Sequence, residues 1–455
     1  MKILHITPSY KPAYIYGGPI ISVARLCEAL VKRNEQGTKS KEQGGENLNL
    51  KVESERTTAE VNKLAEKYFD LQVLTTTANG KGELLVKLEK PTFIDGVQVT
   101  YFNRLTKDHS HFSPNLLWAL RKKILRCAQD DKIVIHIHAW WNLVSVFSCL
   151  IAKWYNVPVV LSPRGMLTAY SQTHNNSFSK KLIHHLIGRR LLEYCHIHAT
   201  SMQEEKEILA IVQPKSIAVI WNLVSMAYQV LSFKYQEVHK IESLEPKANN
   251  TVQIVGSRKE YQDSSIKIPN AEEPFKLIFL SRIEEKKGLG LLFDALASLE
   301  IEWMLTIAGS GEHAYVESLK QRVKSLKLSS RINWIGQVSN EDKFGILSQH
   351  DLLVLPSYNE NFANVVVESL SVGTPVLISE QVGLADYVKA NNMGWVTGLV
   401  VEDIKDKMIL AFQAVEHRTK IRNHSPQQIR EDFDDEILAE KYIELYERVL
   451  QVQNH

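Results

Sequence analysis

Residues 351–379, DLLVLPSYNENFANVVVESLSVGTPVLIS, begin with an apolar run, continue through a polar turn and end in a second apolar run. The first run is typical of a buried strand, and the segment after the turn predicts a helix that ends at Gly373. The run after Pro375 predicts another strand. Two buried strands joined by a helix are the repeating unit of a parallel sheet that is covered by helices.

The same alternation of apolar runs and amphipathic segments recurs on both sides of this unit. The predicted strands are KILHIT, LQVLTTT, GVQVTYF, KIVIHIH, VPVVLS, HIHAT and IAVIW, and then FKLIFLS, WMLTIAG, RINWIGQ, DLLVLPS, TPVLIS and GWVTG. The predicted helices include GPIISVARLCEALVKR, GLLFDALASL and YVESLKQRVKSL. Two such sets of strands predict an α/β protein with two parallel-sheet domains.

Two polar segments interrupt this pattern. Residues 34–67 predict a solvated insertion after the first helix, and residues 228–273 predict the linker between the domains. The predicted domains are therefore 1–227 and 274–432. The apolar residues of the final segment, 433–455, have near-helical spacing, which predicts an amphipathic terminal helix.

Composition limits the classes of function. The chain has 54 lysines and arginines against 52 aspartates and glutamates, and a net charge of +2 does not favour a nucleic-acid partner. Its four cysteines lie far apart without metal-binding spacing, which fits a reducing compartment and argues against a structural zinc. The apolar run in MKILHITPSY is too short for a secretion signal, and no apolar run is long enough to cross a membrane. We therefore expect a cytoplasmic protein.

Two carboxylates, Glu360 and Glu368, stand on either side of the predicted helix start. If every step between them were helical, they would lie roughly 12 Å apart. That distance exceeds the ~5 to 9.5 Å expected of the carboxylate pair of a glycoside hydrolase. It suits two ends of one long ligand, and the free amides of a helix N-terminus suit an anion or a sugar. The alternative is that Glu360 is an ordinary turn acid and Glu368 a solvated helix residue.

Cations and glycines follow other predicted strands. Arg282 and Lys287, in SRIEEKKG, follow FKLIFL, where a diphosphate could be clamped; the alternative is a charged surface loop. Gly17 and Gly18 precede the first helix, where paired glycines let backbone amides approach a phosphate, although an ordinary turn has the same composition. IAGSGEH, residues 307–313, is a further glycine-rich strand end.

Aromatic and basic residues follow strands of the first domain. His138, Trp140 and Trp141 end KIVIHIHAWWN, and Arg164 lies in SPRGML, available to an acceptor or a phosphate. His138 is near the carboxyl end of its strand, where open α/β sheets bind ligands, but it fits a packed core histidine equally well. The basic, amphipathic segment 179–194, SKKLIHHLIGRRLLEY, is typical of a solvated helix face, and the alternative is contact with anionic lipid headgroups.

In this order, the segments resemble family 4 of the retaining glycosyltransferases, which have the GT-B fold. The resemblance is carried by Gly17 and Gly18 after the first strand, by IHIHAWWN, SRIEEKKG and LTIAGSGE, and by ENFANVVVESLSVGTPVL. In the last of these, Glu360 and Glu368 match the E-x7-E motif of the family. The resemblance covers nearly the whole chain except the two polar segments. It implies two Rossmann-like, doubly wound domains that face a cleft, with the terminal helix crossing back to the first domain.

The resemblance also implies roles for the site residues. Glu360 would bind hydroxyls of the transferred sugar, and Glu368 would bind the ribose of a nucleotide. Arg282 and Lys287 would neutralise a diphosphate leaving group, so no metal and no other cofactor is expected. His138 would lie close to the anomeric carbon. The other residues implied to contact the donor are Gly17, Gly18, Phe362, Ala363, Asn364 and Val365, and those on the acceptor side are Arg164, Trp140 and Trp141.

The function implied by the resemblance is that of a hexosyltransferase. It would move a sugar from a nucleoside diphosphate sugar to a glycan or a lipid-linked acceptor, in the synthesis of cell-surface polysaccharide or glycoconjugates. Peripheral contact with the anionic inner face of a membrane is a further expectation. Ala363, Ser281 and Leu223 depart from the usual family residues, which leaves the identity of the donor open. The alternatives are a sugar-nucleotide epimerase of the same fold and a non-catalytic two-domain binding protein.

Overall fold

The computed structural model describes most of the two predicted domains. The described residues are 1–46, 69–108, 110–127, 132–168, 188–226 and 273–452, with the backbone alone for 36–46. The predicted linker 228–273 therefore lies outside the described residues except at its last position, and the basic segment 179–194 is described only from residue 188.

The first domain is built on one large sheet and a small hairpin. The strands of the sheet are β1 (Lys2–Thr7), β2 (Asp70–Thr76), β5 (Thr92–Ile94), β6 (Val97–Phe102), β7 (Ile133–His138), β8 (Val159–Ser162), β9 (His196–Ala199) and β10 (Ser216–Val219), and the hairpin is β3 (Ala78–Asn79) with β4 (Gly82–Glu83). Their order in the sheet is β10-β9-β8-β7-β1-β2-β6-β5, and all neighbours are parallel except β5 and β6. Ile6 of the central strand β1 pairs with Leu74 on one side and Ile137 on the other.

The second domain contains a six-stranded parallel sheet. Its strands are β11 (Phe275–Leu280), β12 (Trp303–Ala308), β13 (Ile332–Gly336), β14 (Leu352–Leu355), β15 (Val376–Ser379) and β16 (Gly394–Thr397). The order is β13-β12-β11-β14-β15-β16. The chain therefore reverses its direction across the sheet between β11 and β14, as it does between β1 and β7 in the first domain. Open α/β sheets bind ligands at the carboxyl ends of the strands at such a reversal.

Helices cover the sheets. The described α-helices are α1 (Gly18–Glu46), α2 (Pro114–Cys127), α3 (Leu143–Trp154), α4 (Arg189–Leu192), α5 (Met202–Leu209), α6 (Leu289–Ala297), α7 (His313–Ser325), α8 (Lys343–Ser348), α9 (Asn364–Ser371), α10 (Ala385–Ala390), α11 (Val401–Gln413), α12 (Val415–Asp432) and α13 (Asp435–Val452). In the first domain, α2 and α3 share one core with Ile6 and Ile137, whereas α1 and α13 share another with Ile3 and Val134. Because neighbouring strand residues point to opposite faces, these are the two faces of the sheet.

The end of the chain crosses between the domains, as the resemblance implied. Phe433, directly after α12, is buried in the core of the second domain. Tyr442 and Tyr446 of α13 are buried in the core of the first domain, and Arg25 of α1 forms an ion pair with Asp435. The two domains are therefore joined by the terminal helix as well as by the linker.

The sequence predicted the positions of the strands well, but some helix and domain boundaries less well. All thirteen predicted strands are present, and the short β3, β4 and β5 are additional. The helix α1 continues into the predicted insertion 34–67, because Glu, Gln and Lys are strong helix formers. Val224 and Met226 already pack in the core of the second domain, so the first domain ends slightly before residue 227. Among the described residues, no helix is both long and apolar enough to span a bilayer.

Candidate active site

A cleft of about 960 Å³ lies between the carboxyl ends of the two sheets. From the first domain it is lined by the loops after β1 and β8, and from the second by the loops after β11, β12 and β14. These loops include both places where the chain reverses its direction across a sheet. The residues of the cleft that the sequence predicted are Gly17, Gly18, Arg164, Arg282, Lys287, Glu360, Phe362, Ala363, Asn364, Val365 and Glu368.

The side chains of Lys287 and Glu360 form an ion pair within the cleft. Lys287 ends a short 3-10 turn after β11 and is buried, with 6% of its side chain exposed against 21% for Glu360. The backbone of Glu360 is fixed by a hydrogen bond from its N–H to the Gln381 carbonyl oxygen, 3.1 Å away. Burial alone would raise the pKa of Glu360, but the charges of Lys287, Lys286 and Arg282 outweigh it and lower that pKa. The carboxylate is therefore charged and held in place.

Arg282 supplies an accessible positive charge beside this pair. Its guanidinium donates to Glu284 at 2.6 Å, and 46% of the side chain is exposed. Lys286 lies 3.6 Å from the same carboxylate. Burial and the neighbouring Lys287 lower the pKa of Lys286. Three cations thus meet at the end of β11, a concentration of charge that suits a phosphate group.

Glu368 forms a second buried ion pair that the sequence did not predict. Its carboxylate accepts from the Lys343 ammonium at 2.6 Å, and 7% of each side chain is exposed. Lys343 opens α8, and both residues line the cleft. The helix α9 begins at Asn364, after the predicted turn, so the steps between Glu360 and Glu368 are not all helical, and Glu360 bridges to Val382. Each acid is held by its own lysine.

The glycine pair of the first domain faces the second domain across the cleft. Gly17 has a φ of +69°, which favours glycine, and an added Cβ would lie 3.9 Å from Cδ of Arg282. A Cβ on Gly18 would lie 3.5 Å from the side-chain nitrogen of Asn364. That amide also donates to Ser22 at 2.9 Å. The β1–α1 loop therefore approaches the same space as Arg282, although the Gly17 N–H already donates to the Tyr14 carbonyl oxygen at 2.9 Å.

The glycine-rich segment after β12 has a packing role. Gly309 has a φ of +148°, and an added Cβ would lie 1.8 Å from the carbonyl oxygen of Ser281. A side chain at this position would displace the backbone that precedes Arg282. This glycine therefore positions the loop after β11, which carries Arg282, in addition to lining the cleft.

Ala363 adopts the left-handed conformation, with a φ of +66°, directly before α9. The sequence shows alanine where the resembled family often has glycine, and the methyl group makes this conformation costly. We expect Ala363→Gly to raise the free energy of unfolding by about 0.5–1 kcal/mol, after the entropy that glycine adds to the unfolded chain. Urea denaturation measures this, with Ala385→Gly at the start of α10 as a control that should lose stability. A less stable Ala363→Gly protein would contradict the assignment of strain to this residue.

Arg164 is the cation of the first domain in the cleft. Its backbone φ is +53°, uncommon for a residue with a side chain, and its guanidinium donates to Asn222 at 2.9 Å. The other terminal nitrogen of this guanidinium lies 3.4 Å from Nδ1 of His138. His138 is itself buried, bonded through Nε2 to His5 at 2.9 Å, and does not line the cleft. His138 is therefore buried next to Arg164, and its expected position beside the anomeric carbon stays a prediction.

The two tryptophans expected on the acceptor side also lie away from the cleft. Trp140 is fully buried in the core of the first domain, and Trp141 donates its indole N–H to the carbonyl oxygen of Met166 at 2.7 Å. Neither residue lines the cleft. Their aromatic rings serve the packing of the loop that carries Arg164, since Met166 belongs to the same segment.

Within the described part of the chain, one cluster has the composition of a metal site. The imidazoles of His5, His136 and His138 offer nitrogens that all lie within 4.8 Å of one another. Both nitrogens of His136 already bond to hydroxyls, of Tyr446 and Ser162, each at 2.7 Å. The Arg164 guanidinium beside His138 would also repel a cation. The cluster therefore fits a buried hydrogen-bond network better than a metal centre.

Two family models match the two domains in turn. "Glycosyltransferase Family 4" matches residues 55–228, and "Glycosyl transferases group 1" matches residues 260–428. The chain belongs to the family 4 glycosyltransferases. Solved structures match nearly the full length of this glycosyltransferase. Anabaena HepE, in complex with UDP and glucose, has a TM-score of 0.62 at 16% identity, and the match covers 98% of this chain and 100% of the HepE chain. Sucrose-phosphate synthase from Thermosynechococcus elongatus has a TM-score of 0.64 at 15% identity, over 99% and 100%. These likenesses show the GT-B fold.

Curated relatives align over different shares of their length. Mannosylfructose-phosphate synthase of Agrobacterium fabrum is 35% identical over 117 residues, 24% of this chain and 26% of that protein. The uncharacterized glycosyltransferase YqgM of Bacillus subtilis is 22% identical over 46% of this chain and 58% of its own. D-inositol 3-phosphate glycosyltransferase of Corynebacterium diphtheriae is 21% identical over 78% of this chain and 82% of that protein. The glycosyltransferase thus spans less than two thirds of the first two of these relatives.

Proposed function

We propose that this glycosyltransferase moves a hexose-type sugar, with retention at the anomeric carbon, from a nucleoside diphosphate sugar to a hydroxyl of a glycan or lipid-linked acceptor. The observation that carries the proposal is the ion pair of Lys287 with Glu360 inside the cleft. A cation suited to a diphosphate and a carboxylate suited to sugar hydroxyls meet there. That is the arrangement needed where a sugar is bonded to a diphosphate.

The donor fits along the line of charged groups in the cleft. Its diphosphate would lie between Arg282 and Lys287 on one side and the loop at Gly17 and Gly18 on the other, where the N–H of Gly18 begins α1. Its sugar hydroxyls would donate to Glu360. At the other end, the ribose hydroxyls would donate to the carboxylate that Lys343 holds, that of Glu368. The amides of residues 362–364 lie before and at the start of α9, where free N–H groups bind oxygen atoms.

The transfer step follows from this placement. The bond between the anomeric carbon and the diphosphate oxygen breaks, and its electron pair stays on the diphosphate. The acceptor hydroxyl forms the new bond to the same face of the sugar, and its proton passes to the departing diphosphate oxygen. Arg282 and Lys287 stabilise the negative charge as it develops. Such electrostatic stabilisation is usually the largest single contribution to catalysis. Arg164 faces the cleft from the acceptor's domain and would orient the acceptor or the phosphate.

Several relatives indicate the substrates to test first. HepE has been solved with UDP-glucose, and a Campylobacter jejuni relative is named as an N-acetylgalactosaminyltransferase that acts on a diphospho-undecaprenol. AmsK of Erwinia amylovora is named for amylovoran biosynthesis, and WcaL of Salmonella typhimurium for putative colanic acid biosynthesis. We accordingly propose a role in bacterial cell-surface polysaccharide synthesis, on the cytoplasmic side of the membrane.

A panel of sugar nucleotides tests the proposal. The protein is incubated with UDP-, GDP- and dTDP-sugars and with a mixture of polyprenyl-linked and free glycan acceptors, and both products are identified. Release of nucleoside diphosphate together with a new glycoside of unchanged anomeric configuration supports the proposal. Binding without turnover would indicate a binding protein, and a changed sugar nucleotide without transfer would indicate an epimerase.

We expect the transfer to continue in excess EDTA at an undiminished rate. The leaving diphosphate is neutralised by Arg282 and Lys287, and the carboxylates of Glu360 and Glu368 are occupied by lysines. The measurement is the initial rate after exhaustive dialysis against the chelator, with a metal-dependent transferase treated in parallel as the control. Loss of turnover that manganese or magnesium restores would show that this part of the proposal is wrong.

A further inference from the structure

Three helices on one face of the first domain contain no acidic residues, although the chain as a whole has nearly balanced charge. The helices α2, α3 and α4 contain no aspartate or glutamate. Their basic residues are Arg121, Lys122, Lys123 and Arg126 on α2, Lys153 on α3, and Arg189 and Arg190 on α4. Arg189 is paired with Glu193, directly after α4, at 3.0 Å. The other cations are a local concentration of positive charge in a chain whose net charge is only +2.

The three helices form one continuous surface. Arg121 of α2 donates to the hydroxyl of Tyr155, at the end of α3, at 2.8 Å. Lys153 of α3 donates to the carbonyl oxygen of Arg190 on α4 at 3.0 Å. The cations of the three helices therefore lie side by side. We call this surface, made of α2, the end of α3 and α4, the basic face.

Large apolar side chains project from the basic face. Trp118 and Leu125 of α2 are 54% and 45% exposed, and Trp154 at the end of α3 is 81% exposed. Trp118, Arg121, Lys122 and Leu125 are spaced so that they share one stripe of the helix. Exposed tryptophan and leucine flanked by lysine and arginine are typical of surfaces that lie in the interface of a membrane.

We propose that the basic face docks the enzyme on an anionic lipid membrane. The proposal rests on the proposed function, because a lipid-linked acceptor is met at a membrane. The cations would face the lipid phosphates, while the two indoles and Leu125 enter the headgroup region. The guanidinium of Arg121 and the ammonium of Lys122 already lie 5.1 and 5.4 Å from the ring centre of Trp118. That ring is therefore not a free platform for stacking a nucleic-acid base, which favours the lipid surface over RNA.

The basic face is distinct from most of the basic segment 179–194. Lys180 and Lys181 of that segment lie outside the described residues, and only Arg189 and Arg190 belong to the basic face. The basic face is centred instead on α2 and α3.

Vesicle flotation of the full chain tests the proposal. We expect binding to vesicles that contain phosphatidylglycerol, little binding to pure phosphatidylcholine, and release at high salt. Lys122→Glu/Arg126→Glu should weaken binding at least ten-fold. The matched control is Lys324→Glu/Lys389→Glu, which makes the same change in net charge at exposed lysines of the second domain and should bind as the wild type does. Trp118→Ser/Trp154→Ser should abolish most quenching of protein fluorescence by lipids brominated in the acyl chain.

The outcomes separate this proposal from the proposed function. Affinity for free UDP in solution, measured on every variant, should stay near wild type, since none of these residues lines the cleft. Equal loss of flotation in the control and the basic-face variants, or no loss in either, would overturn the docking surface. Displacement from vesicles by a single-stranded RNA oligonucleotide, with tight RNA binding that the Lys122→Glu/Arg126→Glu change removes, would reassign the face to nucleic acid. Absence of UDP binding with normal flotation would count against the proposed function alone.

Discussion

Replacing Lys287 with alanine should lower the turnover of sugar transfer by about a hundred- to a thousand-fold. In the proposed donor site this ammonium neutralises the leaving diphosphate; it is nearly buried and pairs with Glu360, so water cannot replace its charge effectively. Affinity for the free nucleoside diphosphate should fall as well, because the same cation binds the ground state. Steady-state kinetics and calorimetry of the purified variant give both quantities.

The design must separate lost catalysis from lost folding. Lys287→Ala leaves the Glu360 carboxylate without its ion-pair partner, which destabilises the protein. The double variant Lys287→Ala/Glu360→Gln removes that unpaired charge and should recover melting temperature without recovering turnover. Lys286→Ala, at the neighbouring cation, is the matched control and should cost far less. Turnover of Lys287→Ala within a few-fold of wild type would remove this residue from the leaving-group site.

Acid should unfold this protein well before its carboxylates titrate. His5, His136, His138 and His198 are all buried, on β1, β7 and β9. Burial first, and then the charge of Arg164, lowers the pKa of His5 to about 3, and burial chiefly lowers that of His198 to about 3. Burial also lowers the pKa of His136 and of His138 well below the usual range.

The direction of the pH effect follows from which state binds protons. Histidines of the unfolded chain bind protons below a pKa of about 6.5, whereas the buried ones remain neutral. Stability is therefore fully present above that pH and is lost as the pH falls toward 3. Each such histidine costs about 2 kcal/mol between pH 7 and pH 5. The other groups that face the cluster are the Arg164 guanidinium and the hydroxyls of Tyr442 and Tyr446 from α13, which remain un-ionised in this range.

Urea denaturation at pH 7 and pH 5 measures this loss. His5→Gln should reduce the change in unfolding free energy between the two pH values by about 2 kcal/mol. The control is His313→Gln, an exposed histidine at the start of α7, which should leave the change as it is. An unchanged pH dependence in His5→Gln would mean that the cluster is not the source.

The sequence was most informative where one physical factor decided the structure. Short runs rich in β-branched residues, such as KIVIHIH, predict buried strands when helical segments flank them, and all thirteen were found in the two sheets. The residues predicted for the donor side also come together in one cleft. Arg282, Lys287, Glu360 and Glu368 stand directly at strand ends or on the first turns of a helix, and chain order alone brings strand ends together in parallel sheets.

The residues that were missed or misplaced depend on packing across the chain. Lys343 lies in SNEDKF, which reads as a solvated helix start, and only the fold brings it to Glu368. His138 has the right position on its strand, but its ring is buried, where it bonds to His5 of β1 and lies 3.4 Å from the Arg164 guanidinium of the loop after β8. Trp140 and Trp141 were assigned by their nearness in sequence to that strand end, whereas their rings turn into the core.

The central claim is that Glu360 binds the sugar and Glu368 the nucleotide of one donor. The measurement is the affinity of Glu360→Gln and of Glu368→Gln for both the free nucleoside diphosphate and the intact sugar nucleotide, with melting temperatures and Glu380→Gln as an exposed control. Glu360→Gln should keep diphosphate affinity near wild type and lose turnover, whereas Glu368→Gln should weaken both ligands by roughly ten- to a hundred-fold. If Glu360→Gln weakened the bare diphosphate as much as the sugar nucleotide, or if both variants lost only melting temperature, the claim would be contradicted.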